Sequence, residues 1–132
     1  QRDDGAGYSK AIEGALWVAK TPADSVHMVK THGTGTPVNN AAEKTALTRS
    51  LPKFIATSYK PRIGHTMGAS GLLETMLMLR DIDKGMIPAI QNRTAPDPVF
   101  VSEDTSVQGG KFISLAAGMG NIYSAALFSA EV

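Results

Sequence analysis

Two of the three histidines, His32 and His65, sit beside glycine in polar loops, Thr31-His32-Gly33-Thr34-Gly35-Thr36 and Gly64-His65-Thr66. An imidazole so placed can donate, accept or transfer a proton near neutral pH, and around His32 it has three hydroxyls for company. Each loop comes after a short apolar run, residues 26–29 for the first and 54–56 for the second. In an open α/β sheet, ligands bind beyond the carboxyl ends of the strands, so two such loops can converge on one small group. Taken by themselves, two unconnected histidines are more often surface or capping residues. His27, inside the run 26–29 and facing away from Met28, reads as a structural histidine.

Several other chemistries are set aside on composition and spacing. A zinc site would need a third ligand from Asp or Glu, and neither loop has the i, i+4 histidine spacing of a metalloprotease helix, so no metal is expected. The glycines match neither a P-loop nor a dinucleotide fingerprint, and no cofactor is implied. The chain has no cysteine, which removes disulfides, thiolate ligands and a cysteine nucleophile from its own repertoire. Thirteen basic against 12 acidic side chains leave a net charge of +1, no footprint for nucleic acid or an anionic membrane surface. No apolar run is long enough to span a membrane and no signal peptide is visible, so a cytoplasmic protein is expected. Because the chain begins at Gln1 rather than Met, a piece of a longer polypeptide is expected too. Asn92-Arg93-Thr94 matches a glycosylation sequon but reads as ordinary loop without a secretory signal.

The 132 residues suit one domain, and 42% apolar with 19% charged residues is the composition of a globular protein. From Tyr8, the apolar positions 8, 11, 12, 15, 16 and 19 fall at helical spacing, predicting a helix that ends near Lys20, before Pro22. A buried strand follows at 26–29. Asn39 or Asn40 is expected to cap the next helix, with Ala42, Ala46 and Leu47 inward and Leu51-Pro52 as its end. A brief strand at 54–56 leads to the glycine-rich stretch 64–71 and a helix carrying Leu72, Leu73, Met76, Leu77 and Leu79. Its glycines suggest close packing against another backbone or a substrate channel. Residues 87–90 include Pro88 and read as an edge strand, and 92–99 as a loop. Runs 112–117 and 123–128 read as paired strands across Gly118-Met119-Gly120-Asn121. The alternation predicts an α/β fold, a mixed sheet with helices packed on it.

Thr31-His32-Gly33-Thr34-Gly35-Thr36-Pro37 with Glu43, then Lys60-Pro61-Arg62-Ile63-Gly64-His65 and Gly68-Ala69-Ser70-Gly71 with Glu74, resembles the C-terminal half of a β-ketoacyl-acyl carrier protein synthase. The resemblance runs from the first helix to the last strand and implies the second half of a thiolase-like fold. It implies a decarboxylative Claisen condensation in fatty acid or polyketide synthesis. A cysteine in the other half would hold the acyl chain, and malonyl-carrier protein would lose carbon dioxide to give the attacking carbanion. His32 and His65 match the family's two active-site histidines, whose N–H groups would stabilise the enolate oxygen as an oxyanion hole does. Lys60 joins this catalytic set as a buried ammonium that orients the site, paired with Glu74; unpaired, it would tend to lose its proton. Thr34 and Thr36 match threonines that bind the pantetheine arm, while Glu43 and Gly64 support the site within the two motifs. The implied partners are acyl carrier protein, the N-terminal half of the same synthase, and a second subunit in a homodimer or heterodimer.

Two departures from the pattern stand out. Asn40 replaces a usual aspartate. Gly118-Met119-Gly120-Asn121-Ile122-Tyr123 stands where the family commonly has Gly-Phe-Gly-Gly-Thr-Asn, which puts Met119 at a phenylalanine gate and leaves Gly118 and Gly120 to shape the loop. A thioether can still gate an acyl chain. The altered loop favours a second reading, a non-catalytic partner like the chain-length subunits that pair with a ketosynthase. Retention of His32, Lys60 and His65 favours catalysis over it, and an isolated thiolase-like binding domain is the third reading.

Overall fold

A computed structural model describes residues 4–90 and 100–131. The stretch 92–99 and its sequon lie outside the described residues. In chain order the elements are α1 (Ala6–Val18), β1 (Val26–Lys30), α2 (Pro37–Ser50), β2 (Ile55–Thr57), α3 (Lys60–Ile63), α4 (Ser70–Asp83), β3 (Met86–Ile87), β4 (Thr105–Ser106), β5 (Gly110–Gly118) and β6 (Ile122–Ala130).

Alternation along the strands decides which layer each side chain joins, apart from a register shift between Val26 and Met28 that puts Val26 on the face of Val29. Val26 and Val29 of β1 and Ile113 and Leu115 of β5 pack with Tyr8, Ile12 and Leu16 of α1 and Ala42, Ala46 and Leu47 of α2. On the opposite face, Met28 and Phe112 meet Met78 and Ile82 of α4. Lys30, two residues beyond Met28, falls on this α4 side and is fully buried. The sheet order is β2-β1-β5-β6, with β1 parallel to both β2 and β5 and β5 antiparallel to β6. This is the expected mixed sheet under helices. Because β1, β2 and β5 run the same way, their carboxyl ends share one edge, and the loops leaving them are neighbours although more than eighty residues separate the first from the last.

Several local expectations change. The first helix ends at Val18 rather than near Lys20, because Lys20 turns to a φ of 50° and the N–H groups of Lys20 and Thr21 bond back to the carbonyls of Trp17 and Leu16. Neither Asn39 nor Asn40 caps α2. Thr36 occupies that position with Pro37 in the first turn, and Asn39 is buried, accepting from the Tyr8 hydroxyl at 2.7 Å. β1 runs one residue further than the apolar run, to Lys30. The helix expected after the glycine-rich stretch begins only at Ser70, so Gly64 and Gly68 precede it. Gly71 alone bears out close packing: a Cβ there would lie 3.3 Å from the Cβ of Ala116 on β5. Leu72, Leu73 and Met76 are exposed, leaving Met78 and Ile82 as the apolar anchors of α4. The expected strand at 87–90 reduces to the two residues of β3, paired with β4. His27 is exposed at a register shift between β1 and β5, where its Nδ1 accepts the Lys111 N–H at 3.1 Å, a structural role.

Candidate functional site

The loop after β1 is held from three sides. The Thr31 N–H and hydroxyl both donate to the Thr57 carbonyl on β2, at 2.9 and 3.1 Å. From α2, the buried Glu43 carboxylate takes the His32 N–H on one oxygen, and the Gly33 N–H (2.9 Å) and the Asn39 amide (2.7 Å) on the other. Burial pushes the Glu43 carboxyl up, and these three donors work against that rise by stabilising its charged form. Gly33 has φ of 60°, and a Cβ there would lie 2.1 Å from the Ser58 hydroxyl, so both conformation and space demand glycine. From α3, Lys60 donates to the His32 carbonyl.

The second loop sets its histidine more simply. Gly64 closes α3 with φ of 75° and turns the chain so that His65 follows at the cleft. His65 Nδ1 accepts the Met67 N–H at 3.0 Å and lies 3.1 Å from the Ser70 hydroxyl at the start of α4. His32 Nδ1 accepts the Ala117 N–H on β5 at 3.2 Å. A ring nitrogen that accepts from a backbone N–H carries no proton, so in each neutral ring the proton sits on Nε2. The two rings meet edge to face, centroids 5.7 Å apart. The His32 pKa is pushed down to about 4, first by burial and then by the charges of Lys60 and Lys30, so its imidazole is neutral at pH 7.

Behind His32, the expected Lys60–Glu74 pair is present at 2.6 Å, with Glu74 fully buried on α4. Sequence reasoning missed a third member. Lys30 Nζ lies 2.9 Å from the other Glu74 oxygen, and both side chains have no exposure. Burial pushes the Lys30 ammonium down and Glu74 works against that. The one available signal was positional: a lysine ending an apolar strand two residues past Met28 shares that residue's buried face.

His32 and His65 border a cleft of about 780 Å³ whose far wall is Gly118, Met119 and Gly120 of the β5–β6 turn, with Gly71 of α4 and Ala117 of β5. Met119 is exposed. The structure therefore brings the two histidines and the turn together, with Lys60, Glu74 and Glu43 as buried supports. Thr34 and Thr36 do not line the cleft; their hydroxyls lie 3.2 Å apart on the exposed side of the first loop. Among the described residues no three His, Cys, Asp or Glu side chains converge as a metal site would require. Two imidazoles with Nε2–H donors beside one cleft can stabilise an oxygen on which negative charge develops.

Residues 1–94 match the family described as "Beta-ketoacyl synthase, C-terminal domain". The chain is 32% identical to the tetracenomycin polyketide synthase ketoacyl synthase alpha subunit of Streptomyces glaucescens, over 97% of this chain and 32% of that protein. It is 29% identical to 3-oxoacyl-[acyl-carrier-protein] synthase 2 of Vibrio cholerae, over 72% of this chain and 24% of that one. Among solved structures, a β-ketoacyl synthase from Burkholderia phymatum superposes with a TM-score of 0.86 at 26% identity, covering 97% of this chain and 33% of that chain. The fold is thus that of the thiolase-like ketosynthases. The chain spans about a third or less of the length of the curated relatives it matches.

Proposed function

Because the chain belongs to the β-ketoacyl synthase family, as its C-terminal domain, we propose that it is the malonyl-activating half of a β-ketoacyl-acyl carrier protein synthase. The supporting observation is the histidine pair: both Nδ1 atoms are occupied by backbone N–H donors, which leaves two Nε2–H groups at one cleft, with His32 kept neutral by burial and two buried cations. In the proposed step the bond from the malonyl α-carbon to its carboxylate breaks and carbon dioxide leaves. The electron pair spreads onto the thioester oxygen, where His32 and His65 donate to it. The α-carbon then attacks an acyl thioester held on a cysteine, whose thiolate departs. That cysteine belongs to an N-terminal half, since this chain has none. Lys60 acts as a positioning residue through the His32 carbonyl and Glu74. Thr34 and Thr36 receive the pantetheine arm of acyl carrier protein, and Met119 gates the acyl side of the cleft. Leu72, Leu73 and Met76, exposed on α4, support a covering N-terminal half, which would pair further with a second subunit.

In the full-length protein, His32→Ala and His65→Ala should each slow malonyl-carrier decarboxylation about a hundredfold, the usual effect of losing one oxyanion donor. Wild-type rates in both variants would rule out the oxyanion role. The exposed Met119 and the altered turn support the non-catalytic chain-length reading instead; it predicts no decarboxylation by the wild type and no acyl thioester on its own upstream half.

A further inference from the structure

Lys30 lies outside both histidine motifs, yet its ammonium is buried as deeply as any charge in the molecule. We propose that Lys30 is a positioning residue of the site: with Glu74 and Lys60 it forms a buried cation–carboxylate–cation triad that keeps one net positive charge behind His32 and holds that imidazole neutral. Its catalytic meaning rests on the function proposed above; its effect on His32 does not.

The geometry is divided evenly. Glu74 gives Oε2 to Lys30 at 2.9 Å and Oε1 to Lys60 at 2.6 Å, and Lys60 also donates to the His32 carbonyl. One carboxylate balances one ammonium, so the second is surplus charge in the interior. Burying an ammonium carries a heavy desolvation cost, and an apolar residue such as the neighbouring Met28 would fill a strand position on this face without it. A buried charge that stability alone does not favour is a candidate for function.

The charged and titratable groups facing His32 come from every element around it. Lys30 comes from β1, Lys60 from α3, Glu74 from α4, His65 from the second loop and Glu43 from α2. Glu43 is engaged by the His32 and Gly33 N–H groups and the Asn39 amide, so the two ammoniums outweigh the carboxylate they share. Both lysines disfavour the imidazolium, and the low His32 pKa agrees with that. The same positive field favours negative charge on an oxygen in front of the ring.

The test is a histidine titration by NMR in the full-length protein, the His32 signal identified by its loss in His32→Ala. Lys30→Met should raise the His32 midpoint by about one pH unit. Lys30→Arg changes the shape of the side chain but keeps the charge and the Glu74 partner, so it should leave the midpoint near wild type, which a packing defect would not do. An unchanged midpoint in Lys30→Met, or one raised equally in Lys30→Arg, overturns the inference. Should Lys30→Met not fold, Lys30→Gln keeps an N–H donor for Glu74 without the charge and carries the same expectation. In parallel, Lys30→Met should lower kcat for decarboxylation about tenfold with KM for malonyl-carrier unchanged. A wild type without decarboxylation would overturn the proposed function, while the titration would still decide the role of Lys30.

Discussion

The Glu43 carboxylate accepts from two successive backbone N–H groups, those of His32 and Gly33, and from Asn39, which Tyr8 in turn engages from α1. Glu43→Ala would remove the acceptor these buried donors share, and it should cost about 3 kcal/mol in urea unfolding. A smaller loss than about 1 kcal/mol would mean that water replaces the carboxylate. His32 adds a pH dependence whose sign follows from its lowered pKa. Between about pH 4 and 6.5 the unfolded chain holds a proton on this ring that the folded one does not. Stability therefore rises with pH through that window, by about 3 kcal/mol in all, and is flat above it as far as this group is concerned. His32→Gln should remove this part of the pH profile. Much of this geometry was legible: the resemblance to a ketosynthase C-terminal half singled out His32, His65, Lys60 and Glu74, and the structure brings the two rings together and pairs Lys60 with Glu74. Lys30 was not, because a lysine at the end of a strand ordinarily turns to solvent, and only the position of Glu74 across the face keeps it inside.

At the scale of elements, α4 packs across the sheet behind the site, and the close contact of Gly71 with Ala116 sets its spacing from β5. Gly71→Val should push α4 away from β5, and with it Ser70, which touches His65, and Glu74, which holds both lysines. The expected result is a loss of about 2 kcal/mol in thermal unfolding together with a large fall in the decarboxylation proposed for the full-length protein. Full activity would show that the helix tolerates the shift. The helix itself was legible from its run of leucines and methionines, but its orientation was not. An apolar stripe records which residues avoid water, not which surface covers them, and Leu72, Leu73 and Met76 are not covered by the described residues. The paired strands β5 and β6 were legible because two apolar runs flank a glycine turn; that β5 inserts beside β1 was not, since nothing local to either strand specifies a parallel neighbour so distant in sequence.

For the whole molecule, exposed Leu72, Leu73 and Met76 predict that the 132-residue chain expressed alone self-associates. Leu72→Glu with Met76→Glu should make it monomeric in sedimentation, and the same pair placed in the full-length protein should weaken it. Monomeric behaviour of the unaltered chain would show that this face needs no cover. The sheet order β2-β1-β5-β6 also has a consequence in time. Ala117, which fixes the His32 ring, is 85 residues away along the chain, and β5 can dock beside β1 only after nearly all of this sequence has left the ribosome. Such remote pairings form slowly, after the local helices. A nascent chain stopped short of β5 would carry both histidines and both lysines and still lack the backbone donor that sets the His32 tautomer, so that ring is fixed late.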